Sequence, residues 1–159
     1  KGADGSFLPD VLERIALACQ LDREGYKRAL AHSFMLSVDM AHAYQPNFPG
    51  AYEDEHKVYV NKGPVIKLNA NQRYSSESVS EAMFMNGCQQ AGVPFQKYAH
   101  RTDIPCGSTI GPMTSAKLGI RTVDVGNAMW AMHSIRESAG VLDHGYMIAV
   151  MRCLLADSV

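Results

Sequence analysis

The chain has 159 residues, 47% of them hydrophobic, and a formal net charge of -1, which is the composition of an ordinary globular protein able to bury one substantial core. Near-neutral charge without a Lys/Arg run argues against nucleic acid or an anionic membrane surface as partner, and no apolar stretch approaches the ~20 residues of a membrane span. Cys19, Cys88, Cys106 and Cys153 are scattered with no C-x-x-C pair, so a disulfide scaffold or thiolate zinc site is disfavoured and reduced thiols in a cytoplasmic setting fit best.

The chain opens on Lys1 rather than methionine and reads as a piece of something longer. After the turn-prone Gly2 to Ser6, apolar residues at Val11, Leu12, Ile15, Leu17 and Ala18 predict a helix over 10–21, with Pro9 near its start. Ser33 to Val38 is a short apolar run that reads as a buried strand delivering Asp39 into a loop. Tyr44 to Gly50 is turn chemistry. Short strands are predicted near 57–60 and 65–68, separated by a Gly-Pro break. A helix over 75–91 follows, with Val79, Ala82, Met83 and Cys88 on its buried face and Gly92 as its stop. Phe95 to Ala99 reads as a strand, Asp103 to Pro112 as a loop entering a helix that ends near Gly119, and Ile120 to Val125 as another strand. Gly140 to Leu155 closes the chain as a helix. The order of elements predicts an α/β fold in α/β/α layers around a mixed or parallel sheet, in one domain spanning 1–159.

Two loops beyond strands carry metal-capable side chains: Asp39 and His42 in Ser37-Val-Asp-Met-Ala-His-Ala43, and His133 in Ala131-Met-His-Ser-Ile-Arg-Glu137. A carboxylate and neutral imidazoles suit zinc, and strand-end loops are where open α/β sheets hold ligands. The bland readings are a turn-capping aspartate and structural histidines. Asp39 and His133, one from each loop, are the favoured pair, and two donors are too few for a catalytic zinc, which takes three protein ligands and a water. Lys67, inside Val65-Ile-Lys-Leu68, is either the outward side of an alternating strand or a buried cation offered to an anion. Tyr74 binds a ligand or packs as a hydrogen-bonded anchor. The loop Cys106 to Pro112 places glycines and hydroxyls at a helix N-terminus, fit for an anion or for simple capping by Ser108 or Thr109. No G-x-S-x-G elbow supports a serine hydrolase.

Five motifs in one order closely resemble the C-terminal part of the M18 metallopeptidases, the aspartyl aminopeptidase family. They are Ser37 to Ala43, Lys62-Gly-Pro-Val-Ile-Lys67, Asn71-Gln-Arg-Tyr74, Asp103-Ile-Pro-Cys-Gly-Ser-Thr-Ile-Gly-Pro112 and Ala131 to Glu137. The resemblance implies a three-layer α/β/α sandwich with a mixed sheet, incomplete in this chain, and a two-metal, usually zinc, exopeptidase that removes N-terminal Asp or Glu from peptides. By motif position it implies that Asp39 and His133 are ligands of different metals and that His42, Lys67 and Tyr74 line the substrate pocket. It further implies a homo-oligomer. The family's remaining ligands and its general-base glutamate have no counterpart here. The resemblance places that base upstream of Lys1 and leaves the 159 residues inactive alone. The alternative is a non-catalytic peptide-binding or assembly module that keeps the peptidase fold; a third reading takes Cys106 to Pro112 as a phosphate loop.

Overall fold

A computed structural model of the chain describes residues 2–156. Five helices and seven strands follow one another, preceded by a short 3-10 turn at Gly2–Asp4. Helix α1 (Phe7–Ala18) starts three residues before the expected Asp10. Helix α2 (Arg23–His32) has no counterpart in the expectations; its start is fixed by Asp22, whose carboxylate accepts the Gly25 N–H at 2.7 Å. It hides little of itself, Leu30 being its one buried residue, so its apolar periodicity is faint.

Strands β1 (Phe34–Val38), β3 (Val65–Leu68), β4 (Gln96–Ala99) and β5 (Arg121–Gly126) form one mixed sheet in the order β1-β5-β3-β4. Pairing is parallel between β1 and β5, antiparallel between β5 and β3, and parallel between β3 and β4. A second sheet joins the short strands β2 (Ala41–His42), β6 (Ala128–Trp130) and β7 (Ser138–Ala139). The single sheet of the sequence reading is therefore two. The first strand is also less buried than expected: only Ser37 of β1 is fully covered, because β1 is an edge strand among the described residues. No strand forms at 57–60. That segment is tied down instead by the Tyr44 N–H on the Val58 carbonyl and by the Gln96 side chain, which bonds both the N–H and the carbonyl of Tyr59.

Helix α3 (Ser78–Gln90) begins in a capping box: Glu77 accepts the Val79 and Ser80 amides while the Ser80 hydroxyl accepts the Glu77 N–H. Its buried face is Ser80, Phe84, Gly87 and Cys88. Of the four residues expected there only Cys88 is confirmed; Val79 and Ala82 are exposed and Met83 is half-buried. Gly87 explains the rotation, since a Cβ there would lie 2.6 Å from the Leu154 side chain of helix α5 (Val141–Ala156). The two helices meet across this missing side chain. With Ile66, Val123, Val125, Met147 and Val150, Phe84 and Cys88 build the main core on one face of the four-stranded sheet. Helix α4 (Ile110–Leu118) covers the opposite face, stopped by Gly119 at φ 71°. Helices on both faces make the three layers anticipated from the sequence.

The four cysteines are free. Cys88 is wholly buried and its thiol is pushed up to about 12 by burial, with a smaller effect of Cys153, whereas Cys19 is exposed. A thiolate-specific reagent at neutral pH is therefore expected to label Cys19 while Cys88 reacts only on unfolding, read by mass spectrometry of the labelled peptides.

Candidate metal centre and substrate pocket

Asp39 follows β1 directly, and its N–H donates to the Val125 carbonyl at 2.9 Å, which fixes the loop to the end of β5. The approach is so close that a Cβ at position 126 would sit 1.5 Å from the Asp39 carbonyl oxygen, so Gly126 is required for the placement of Asp39. Gly126→Ala must force the two strands apart. A loss of about 3 kcal/mol or more is expected, at the upper end of overpacking costs, measurable by denaturant unfolding. The Asp39 carboxylate is exposed and among the described residues makes one hydrogen bond, from the Met40 N–H to Oδ1 at 2.7 Å.

His133 stands in the loop between β6 and β7. Ala131 and His133 both adopt left-handed backbone conformations, at φ 55° and 69°, which cost energy for residues with a Cβ. The turn is held by the Ser134 N–H on the Ala131 carbonyl and by the Glu137 carboxylate, which accepts the His133 N–H. The imidazole is exposed, and among the described residues neither ring nitrogen has a hydrogen-bond partner. Both side chains thus have lone pairs free for a divalent ion, and their donor chemistry fits one. Among the described residues, however, no group of three or more His, Cys, Asp or Glu side chains is placed to hold a metal.

His42 lies on β2, paired in register with Met129 of β6, and the two strands bring its loop beside the His133 loop. Although the residue is exposed at the rim, the protein packed around it lowers its pKa, and the positive charges available to His100, His133 and Lys67 lower it further. At neutral pH it is a neutral imidazole with one N–H to donate.

Lys67 settles between its two sequence readings in favour of the buried cation. It is only 1% exposed, its Nζ donates to the Met40 carbonyl at 3.2 Å, and the ammonium stands 5.3 Å from the centre of the Tyr74 ring. Burial lowers its pKa, and Asp39, Asp124 and Cys106 oppose that shift. Tyr74 is buried, and burial first, then Cys106, raises its phenol far above the usual range, so it stays a neutral donor. The five residues picked out in the sequence therefore surround one region: Lys67 senses Asp39, and His42 senses both Lys67 and His133.

Three further residues of this region have no counterpart in the expectations. His100 follows β4 as Asp39 follows β1, a positional signal that was available. Its Nε2 faces the Ile104 carbonyl at 3.1 Å, which accepts only, so Nε2 carries a proton and, in the neutral ring, the Tyr98 hydroxyl donates to Nδ1 at 2.8 Å. Cys106 lies against Tyr74. Asp124, inside an apolar strand, gave no signal. Its carboxylate also disposes of the phosphate-loop reading. The N-terminus of α4 already faces an anion, since a Cβ on Gly111 would be 2.4 Å from Asp124 Oδ1, and the Thr109 hydroxyl donates to that same oxygen rather than capping its own helix.

Against known proteins, the family model described as Aminopeptidase I zinc metalloprotease (M18) matches residues 1–154. The chain belongs to the M18 family. A probable M18 family aminopeptidase 2 of Mycobacterium tuberculosis is 48% identical over 155 residues, 98% of this chain but 36% of the relative. Aspartyl aminopeptidase 1 of Schizosaccharomyces pombe is 45% identical over 94% of this chain and 32% of its own length. Among solved structures, the cryo-EM structure of the Ape4 and Nbr1 complex matches with TM-score 0.89 and 44% identity over 96% of this chain and 29% of that one. The crystal structure of prApe1 matches with TM-score 0.90 and 31% identity over 98% and 33%. The chain thus spans about a third of the length of the curated relatives it matches. Among the described residues no helix is long and apolar enough to cross a membrane.

Proposed function

We propose that residues 1–159 form the C-terminal part of one metallo-aminopeptidase catalytic domain whose complete protein removes N-terminal Asp or Glu from peptides. In this reading Asp39 donates to one ion and His133 to another of a dinuclear, zinc-type centre. The observation that carries it is the buried side chain of Lys67 set beside the exposed Asp39 and His42, with His133 on the far side of His42: a buried amine next to metal-type donors.

Ions held at these donors would polarise the scissile carbonyl and lower the pKa of a bound water. The rest falls to the chain's own side chains. Lys67 presents its charge to the acidic side chain of the first substrate residue, in a setting dry enough to strengthen the pairing. Neutral His42 and protonated Tyr74 donate hydrogen bonds to the substrate or to negative charge developing on the carbonyl oxygen. The relative that bears the name aspartyl aminopeptidase supports the acidic preference, and the M18 family description supports zinc. A dodecamer is recorded for the neighbouring mApe1 structure of yeast, which supports a homo-oligomeric assembly for the complete protein. A cytoplasmic location fits the reduced thiols.

The test is hydrolysis by the complete protein of matched peptides beginning with Asp, Glu, Asn or Leu, with and without a chelator. Zinc-restored release of Asp and Glu ahead of the neutral residues is expected. Equal rates for all four, or chelator-insensitive turnover, would overturn the proposal.

A further inference from the structure

Resting on that reading of the pocket, we infer that Asp124 is its positioning residue: a buried carboxylate that pins the segment carrying Tyr74 and, beside the exposed Asp39, supplies the buried part of the counter-charge to the Lys67 ammonium.

Asp124 is 0% exposed and lies in the middle of β5, where nothing about folding a strand calls for a carboxylate. Such a group is tolerated only when its oxygens are satisfied, and they are. Oδ2 accepts the Ser75 N–H at 2.6 Å and the Ser75 hydroxyl at 2.8 Å; Oδ1 accepts the Thr109 hydroxyl at 2.9 Å. A second tie flanks these, since the Asp124 N–H donates to the Ser76 hydroxyl at 2.9 Å. All the donors to the carboxylate come from two loops, and none comes from its strand neighbour Ser37, whose buried hydroxyl is unpartnered. One loop carries Tyr74 immediately before Ser75, and the other carries Cys106 before Thr109. These are the side chains that close over Lys67.

Val65 pairs with Gly126 and Ile66 with Val125, so the next step of the same antiparallel ladder sets Lys67 beside Asp124 on one face of the sheet. The two do not form a contact ion pair; Lys67 reaches forward to the Met40 carbonyl and the Tyr74 face, which leaves its charge directed at the pocket. Around the ammonium stand Asp39 beyond β1, His42 on β2, Tyr74 and Cys106 on the loops, and Asp124 on β5. Of these, Asp124 is the one fully buried carboxylate. Gly111 belongs to the same device: any side chain there would strike the carboxylate, so the N-terminus of α4 closes on Asp124.

Asp124→Asn isolates the charge, because the amide oxygen still accepts from Ser75 and the amide nitrogen donates to the Thr109 hydroxyl in place of accepting from it. In the complete protein, the ratio of kcat/KM for Asp-initiated over Asn-initiated peptides is expected to fall about tenfold, the size of a one-unit change in charge stabilisation. In a Lys67→Met background the same substitution should leave that ratio unchanged, because the charge it serves is gone. Ser75→Ala, which removes one of the three hydrogen bonds and keeps the charge, should lower turnover of both peptides and shift the ratio little. It serves as the second arm if Asp124→Asn does not fold, since an effect of Ser75→Ala confined to stability would then overturn the positioning role. Equal losses on both peptides for Asp124→Asn, or the same effect with and without Lys67, would also overturn it. Absence of any acidic preference in the unsubstituted protein would overturn the reading of the pocket itself, and the inference with it.

Discussion

Lys67→Met in the complete protein is expected to cut kcat/KM for peptides beginning with Asp or Glu by roughly 30-fold to a few thousand-fold, the range that follows from the 2–5 kcal/mol attached to losing one partner of a buried charge pair. Peptides beginning with Asn or Leu should lose far less, because they bring no carboxylate to the site. The physical basis is the position of the ammonium. A lysine 1% exposed, bonded to a single carbonyl among the described residues and lying over an aromatic face, has donors to spare. Such a group costs free energy in the empty protein and recovers it when an anion enters, the arrangement that converts binding into selectivity. Methionine has similar length, and the Asp124 carboxylate keeps its three hydrogen bonds from Ser75 and Thr109, so folding should survive. Steady-state kinetics on the four peptides reads the effect, and a uniform loss across them would show that Lys67 is structural.

The second large effect is expected at the metal donors. Asp39→Asn and His133→Ala should each weaken one zinc by more than the roughly 100-fold typical of losing an outer-shell partner, since a direct ligand is removed. Each variant should then bind one ion tightly where the unsubstituted complete protein binds two, and activity should fall with the lost ion. Zinc content after dialysis against a buffered chelator provides the count. Neither change should harm the fold, because both side chains are exposed and the bonds that place them come from backbone groups: the Asp39 N–H on Val125 and the His133 N–H on Glu137. The isolated 159-residue chain, with no cluster of three donors among its described residues, is expected to bind zinc weakly and to release no amino acid from any of the peptides.

Residues whose roles are local were legible from sequence; residues whose roles arise from long-range contact were not. Gly119 stops α4 and Gly92 follows α3 as their left-handed propensity foretells, and the strands around Lys67 and before Asp39 fall where apolar runs ended in polar loops. Helix α2 escaped notice because its polar surface leaves one buried residue to signal a face. The strand expected at 57–60 failed because an apolar run needs a ladder partner, and Tyr59 is served by a glutamine side chain instead. The buried face of α3 was misjudged because Gly87, which has no hydrophobicity to read, decides how closely that helix meets Leu154. At the site the same rule holds. Asp39, His42, Lys67, Tyr74 and His133 sit in motifs that can be read along the chain. Asp124 could not be seen there, because its three donors are 15 and 49 residues away. Asp143 is alike: fully buried at the start of α5, it accepts the Asn61 and Gly63 amides 82 and 80 residues back and so sets the turn that launches β3 toward the pocket.

In the proposed function this segment supplies half of a dinuclear centre, one donor to each ion. Anomalous diffraction at the zinc edge from crystals of the complete protein tests it most directly. Two zinc peaks are predicted, one at the Asp39 carboxylate and the other at the His133 imidazole, with the Lys67 ammonium directed into the space beside them. A single ion shared by Asp39 and His133, or zinc bound with neither residue in contact, would rule out that division of donors.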